Sequence, residues 1–143
     1  MDYSERIEGT HFTWGEALQN GPEYAIPTDE QKANIIKQAH LLEKIRDMIG
    51  PMRVTSWLRT LGHHLEIYRL INEVRSKKGL SPVSVPKKST HLVGAATDFV
   101  PLNMGVEVAK KLIRDSGIYP GGMEINTTTW VHCDFIHTKD FIA

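Results

Sequence analysis

The chain holds one cysteine in 143 residues, Cys133, so no disulfide can form within it. No apolar run reaches the eighteen or more residues that a membrane-spanning helix needs. Neither sign of charge is in excess: 17 Lys+Arg stand against 17 Asp+Glu, for a formal net charge of zero. Nucleic acid is therefore excluded as the main partner, because phosphate neutralisation calls for a basic surplus. Repeats, low-complexity tracts and long Pro/Gly-rich linkers are missing too, which leaves a single domain over 1–143. The opening Met1-Asp2-Tyr3-Ser4-Glu5-Arg6 is polar and lacks the apolar core of a secretory signal peptide. What remains is an ordinary globular composition, 41% hydrophobic and 24% charged, with seven histidines whose placement carries the reading.

Residues 1–27 read as an irregular arm, broken by glycines and prolines and anchored by Phe12, Trp14 and Leu18. Thr28-Asp29-Glu30-Gln31 fits a capping box and opens a helix. Ile35, Ala39, Leu42, Ile45 and Ile49 follow at helical spacing until Gly50-Pro51 ends it. Arg53–Trp57 is a short strand, β-branched and aromatic. A second helix runs from about Leu61 to Lys78, with Leu65, Tyr68, Ile71 and Val74 as its apolar stripe. Pro82 and Pro86 make 80–90 an exposed loop that leads to the cleft. Ala95–Leu102 is a strand containing Asp98. A third helix covers about 105–116, with Val106, Ala109, Leu112 and Ile113 facing the core. The C-terminal part reads as a hairpin, with strands at 122–125 and 130–135 and the turn at 126–129. Helices mixed with strands, without βαβ regularity, give an α+β fold. A small antiparallel sheet is expected to carry the site, with helices packed against it.

His91, Asp98 and His132 stand out. His91 and Asp98 flank a turn at Gly94, and His132 lies mid-strand in the hairpin. A His, Asp, His set leaves one position open on a tetrahedral Zn²⁺, the pattern of a catalytic rather than a structural site. Among the other histidines, the His63–His64 doublet is expected at the surface, and His137 at the surface or flanking the cleft. Cys133 alternates away from His132 and should face the core.

Ser89-Thr90-His91-Leu92-Val93-Gly94-Ala95-Ala96-Thr97-Asp98 spells S-x-H-x-x-G-x-A-x-D. It resembles the first zinc motif of the zinc D-alanyl-D-alanine carboxypeptidase family. Relatives of that family include phage L-alanyl-D-glutamate endolysins, the vancomycin-resistance dipeptidases and the Hedgehog signalling domain. Trp130-Val131-His132 looks like the family's later aromatic-x-His, and Ser56-Trp57-Leu58-Arg59 is similar to its Ser-x-x-Arg. His11-Phe12-Thr13-Trp14 resembles the N-terminal segment of the carboxypeptidase-like branch found in phage genomes. The four elements stand in family order over about residues 11–136.

The resemblance implies one Zn²⁺ per chain, held by His91, Asp98 and His132. Arg59 would bind a substrate carboxylate or the developing oxyanion, a task that suits its planar, permanently charged fork. Ser89 would orient His91 or its loop, and Gly94 would let the backbone pass close to the metal or serve simple turn and packing geometry. In several relatives an acidic residue stands three positions before the last zinc histidine; here that position is Thr129. Two other carboxylates are candidates for the catalytic proton transfer. Glu124 falls opposite His132 if the turn centres near Thr128, and Asp134 lies two residues beyond His132 on the same face. The expected activity is hydrolysis of amide bonds in peptidoglycan stem peptides or cross-links. Such an enzyme would be phage or prophage related, made in a host cytoplasm and released through a holin, or carried in the virion. The alternatives are a non-catalytic zinc module of the same fold acting through protein contacts, and a metal-free structural protein.

Overall fold

The computed structural model describes residues 1–142. The arm is more regular than its composition suggests. Thr13 and Glu16 form a reciprocal capping box, each side chain taking the other's backbone N–H, and a short helix α1 (Trp14–Leu18) follows. A two-residue hairpin comes next, β1 (Gln19–Asn20) with β2 (Glu23–Tyr24), turning at Gly21. Ile7, Phe12 and Leu18 are buried and fasten the arm to the core.

Helix α2 (Asp29–Ile49) starts at the Thr28–Gln31 capping box and stops at Gly50, as its sequence dictates. Ile35, Ala39, Leu42, Ile45 and Ile49 are all buried. Each large side chain on that face contributes about 1.5–3 kcal/mol by leaving water, so a charge at Ile45 would break the packing. Gln38 shares the buried face and is fully satisfied. Its amide nitrogen donates to the Thr97 hydroxyl and the Cys133 carbonyl, and its amide oxygen accepts from Tyr119.

Strand β3 (Met52–Ser56) follows, then helix α3 (Leu61–Lys77), a short 3₁₀ turn (Thr90–Val93), β4 (Ala96–Pro101), α4 (Val106–Ser116), β5 (Gly122–Met123) and β6 (Val131–Asp134). The fold is α+β. Its main sheet is antiparallel in the order β3-β4-β6-β5. Thr97 pairs with Cys133, and Asp98 with His132. Period-two alternation then puts Thr97 and Cys133 on the face covered by α2, and Asp98 and His132 on the opposite face. Cys133 is buried on the core face, as its alternation from His132 requires.

Two expectations are corrected. The α3 stripe does not enter the core: Leu65, Ile71 and Val74 stay exposed, and His64 is the helix's one buried residue. No second layer covers α3; its polar residues hold the loop beside it instead. On α4, Leu112 is exposed and Lys110 is buried. The Lys110 ammonium donates to the carbonyls of Ile125 and Thr127, which holds the β5–β6 turn. Gly94 adopts a left-handed φ of 80° and presses on α2: a Cβ there would meet the Gln31 carbonyl at 3.1 Å. Its backbone serves helix packing, one of the two readings its sequence allows.

Candidate metal centre

The site grows out of two adjacent strands and the turn before them. Asp98 on β4 and His132 on β6 are direct cross-strand partners. Ser89 caps the 3₁₀ turn by accepting the His91 N–H at 3.3 Å, which sets His91 at the head of β4. The donor atoms of His91, Asp98 and His132 all fall within 4.8 Å of one another, and all three residues are buried.

Each histidine has one nitrogen committed elsewhere. His91 Nδ1 lies 2.8 Å from the Trp57 carbonyl. A carbonyl only accepts, so Nδ1 carries the hydrogen and Nε2 presents a lone pair. That lone pair is buried without a hydrogen-bond partner, and Asp98 Oδ2 lies 3.3 Å away. Burial pushes the imidazole pKa down against the pull of Asp98, which favours the neutral ring. A buried lone pair facing a carboxylate is repulsive unless a cation lies between them. On the other side, His132 Nδ1 stands 2.7 Å from Asp98 Oδ1 and Nε2 stands 3.1 Å from Asp134 Oδ2. Burial opposes charge on His132, but Asp134 and Asp98 overcome it and lift the pKa to about 9. Burial likewise opposes charge on Asp98, yet His91 and His132 hold its carboxyl well below the usual carboxylate range. This donor set fits a divalent cation bound through His91 Nε2, an Asp98 oxygen and His132 Nδ1. Trp57 and Asp134 would fix the two rings from behind.

The two candidate proton carriers separate in space. Glu124 lies opposite His132, its N–H donating to the His132 carbonyl at 3.0 Å, and its half-buried side chain lines the cleft over the centre. Asp134 is fully buried and does not line that cleft. Its Oδ1 accepts the N–H groups of Ile136 and His137, and Oδ2 faces His132 Nε2 and His137 Nδ1. Asp134 therefore orients histidines, and its carboxylate has no spare oxygen to exchange protons with a substrate. Arg59 reaches the site from the residues after β3. Its Nε donates to the Ser56 hydroxyl at 3.0 Å, which explains the Ser-x-x-Arg spacing, and its fork ends 3.6 Å from Asp98.

The cleft encloses about 710 Å³. The sheet and Glu124 form one wall, and Ile67, Tyr68 and Ile71 of α3 form the other. His137, read from the sequence as lying at the surface or flanking the cleft, lines it, whereas Phe141 was not read from the sequence. His137 stacks on Phe141 with ring centroids 3.7 Å apart, and Phe141 meets His132 edge-on at 5.7 Å. The Phe141 backbone pairs with β5 on the side away from β6, through bonds to Met123 and Ile125. No spacing rule marks such a tail, whereas the aromatic at 141 is the one signal it offers. His64, expected outside, is buried and bonds the Pro86 carbonyl at 2.7 Å. The His11-Phe12-Thr13-Trp14 segment lies away from the cleft, with the His11 backbone donating to Glu43 at 2.8 Å. Thr129 is exposed and does not line the cleft.

Comparison of the chain with family models, with curated proteins and with solved structures gives no match. Among the described residues, no helix is long and apolar enough to cross a membrane.

Proposed function

We propose that the protein is a zinc-dependent peptidase acting on peptidoglycan stem peptides or cross-links. The observation that carries the metal part is the orphaned, buried Nε2 of His91 close to Asp98 and His132, whose donor atoms fall within 4.8 Å of one another. The peptidase part draws on the resemblance of S-x-H-x-x-G-x-A-x-D, Trp-x-His and Ser-x-x-Arg to the zinc carboxypeptidase family, together with a substrate-sized cleft over the centre.

When bound, zinc supplies an activated water and polarises the scissile carbonyl. The chain's own groups supply the rest. Arg59 offers its fork to a substrate carboxylate or to the oxyanion. Glu124 takes the proton from the attacking water and returns it to the leaving amine. Trp57 and Asp134 keep the two histidine rings in register. The phage setting, with release through a holin or carriage in a virion, belongs to the same reading and comes from the resemblance alone.

The test is a digest of purified peptidoglycan with and without a chelator, followed by mass spectrometry of the released peptides. Chelator-sensitive products support the reading, and their masses name the bond cut. A sample holding one zinc per chain that releases nothing from several wall types overturns peptidase activity and leaves a zinc-binding module.

A further inference from the structure

The loop 80–88 is not a free loop. Arg75 Nε donates to the Ser81 carbonyl at 2.6 Å. Asn72 makes two bonds to the Val83 backbone, at 2.8 and 3.0 Å, and His64 bonds the Pro86 carbonyl. These three residues of α3 lace the loop along the helix as a strap. The strap ends in a turn at Lys87–Lys88, pinned one residue earlier by His64 and one residue later by the Ser89 cap. Both lysines line the cleft. Among the described residues neither forms an ion pair, so both ammonium groups are open to a ligand.

The charge around the cleft follows. Arg59, Lys87 and Lys88 face only Asp98 and Glu124, and a divalent cation would add two further positive charges. The chain as a whole carries no net charge. Its acidic residues on α3, Glu66 and Glu73, are occupied by Arg69 and Lys77. The cleft is thus a local cationic basin in a neutral protein, and field lines from an anionic ligand converge there.

We propose that Lys87 and Lys88 form an anion subsite at the cleft mouth, selecting substrates with a carboxylate beyond the one Arg59 holds. In peptide terms the enzyme prefers acidic stem peptides over their amidated forms. The choice of peptide rests on the peptidase reading; the subsite rests on the two lysines.

The test uses the zinc-loaded full chain and two synthetic pentapeptides. One is L-Ala–D-isoglutamyl–L-Lys–D-Ala–D-Ala with a free α-carboxylate, and its twin carries a carboxamide there. Turnover gives kcat/KM for each peptide. Backbone NMR titration of Glu124→Gln gives each Kd without turnover. An exposed ion pair is worth roughly two- to fivefold. The acidic peptide is therefore expected to be favoured about twofold to fivefold in both readouts, with shifts at Lys87–Ser89 and a ratio that shrinks with salt. Lys87→Gln/Lys88→Gln should bring the ratio close to one. Lys77→Gln/Lys111→Gln, with the same change of net charge, should not.

Equal handling of the twins by the wild-type chain overturns the subsite and leaves the peptidase reading standing, as does a preference that survives in Lys87→Gln/Lys88→Gln. Preferential binding of the acidic twin with no cleavage of either supports the subsite and overturns the peptidase reading. Absence of both binding and cleavage overturns both.

Discussion

The N–H of Glu124 donates to the carbonyl of His132, so the two side chains rise from neighbouring strands onto one face. That single backbone bond places a half-buried carboxylate beside a metal-type donor, although the position three residues before His132 holds Thr129 rather than an acidic residue. Glu124→Gln keeps the size and the backbone bond and removes the base. Zinc content should stay near one per chain while kcat falls by about 100-fold or more. Parallel metal analysis and peptide turnover check this, and unchanged kcat would remove Glu124 from the chemistry.

Asp134 acts from behind. Asp134→Asn leaves a poorer acceptor for the His132 and His137 rings. Zinc affinity should weaken about 10- to 100-fold. Competition with a chromophoric chelator measures it, and turnover at saturating zinc should recover far more than in Glu124→Gln.

The proton on His132 competes with zinc. Its folded pKa of about 9 lies above the ordinary 6.5, so in metal-stripped protein its stabilising effect is complete below about pH 6.5 and fades as pH rises through about 9. Zinc binding needs Nδ1 deprotonated and is favoured in the opposite direction. The rise in Tm on adding zinc should therefore grow between pH 6 and pH 9. Thermal melts with zinc and with chelator across that range read it directly; a gain that shrinks with pH would contradict the assignment.

Lys110 is a second structural anchor. Lys110→Met keeps the stem packed and removes the donor from the Ile125 and Thr127 carbonyls. A loss of about 1–3 kcal/mol in urea unfolding is expected, because these carbonyls lose their bonds on folding. Stability within error of the wild type would show that water replaces the ammonium.

The parts of the molecule legible in the sequence are those set by local rules. Thr28, Gln31 and the five apolar residues up to Ile49 define α2 completely, because cap and period agree. The pairing of Glu124 with His132 follows from a turn centred near Thr128, since strand register is arithmetic once the turn is placed. The α3 stripe misleads for a physical reason. Leu65, Tyr68, Ile71 and Val74 have helical spacing, but spacing reports a face and not what covers it. The strap is held by Asn72, Arg75 and His64 instead, polar residues that no periodicity marks. Asp134 shows the same limit on a strand. Alternation gives its face, while its depth depends on the 136–137 backbone folding over it. The Trp57 carbonyl that fixes His91 is main chain, and so invisible to residue type.

The lacing of the strap onto α3 also bears on how such a cleft can diversify. Its fastenings run from helix to loop, and none of them touches His91, Asp98 or His132. Substitutions, insertions or deletions among residues 80–88 therefore alter one bank of the channel without disturbing the metal donors on the other. Descendants of this chain could reshape one wall of the cleft by drift in nine residues, while the His91, Asp98 and His132 cluster is inherited intact.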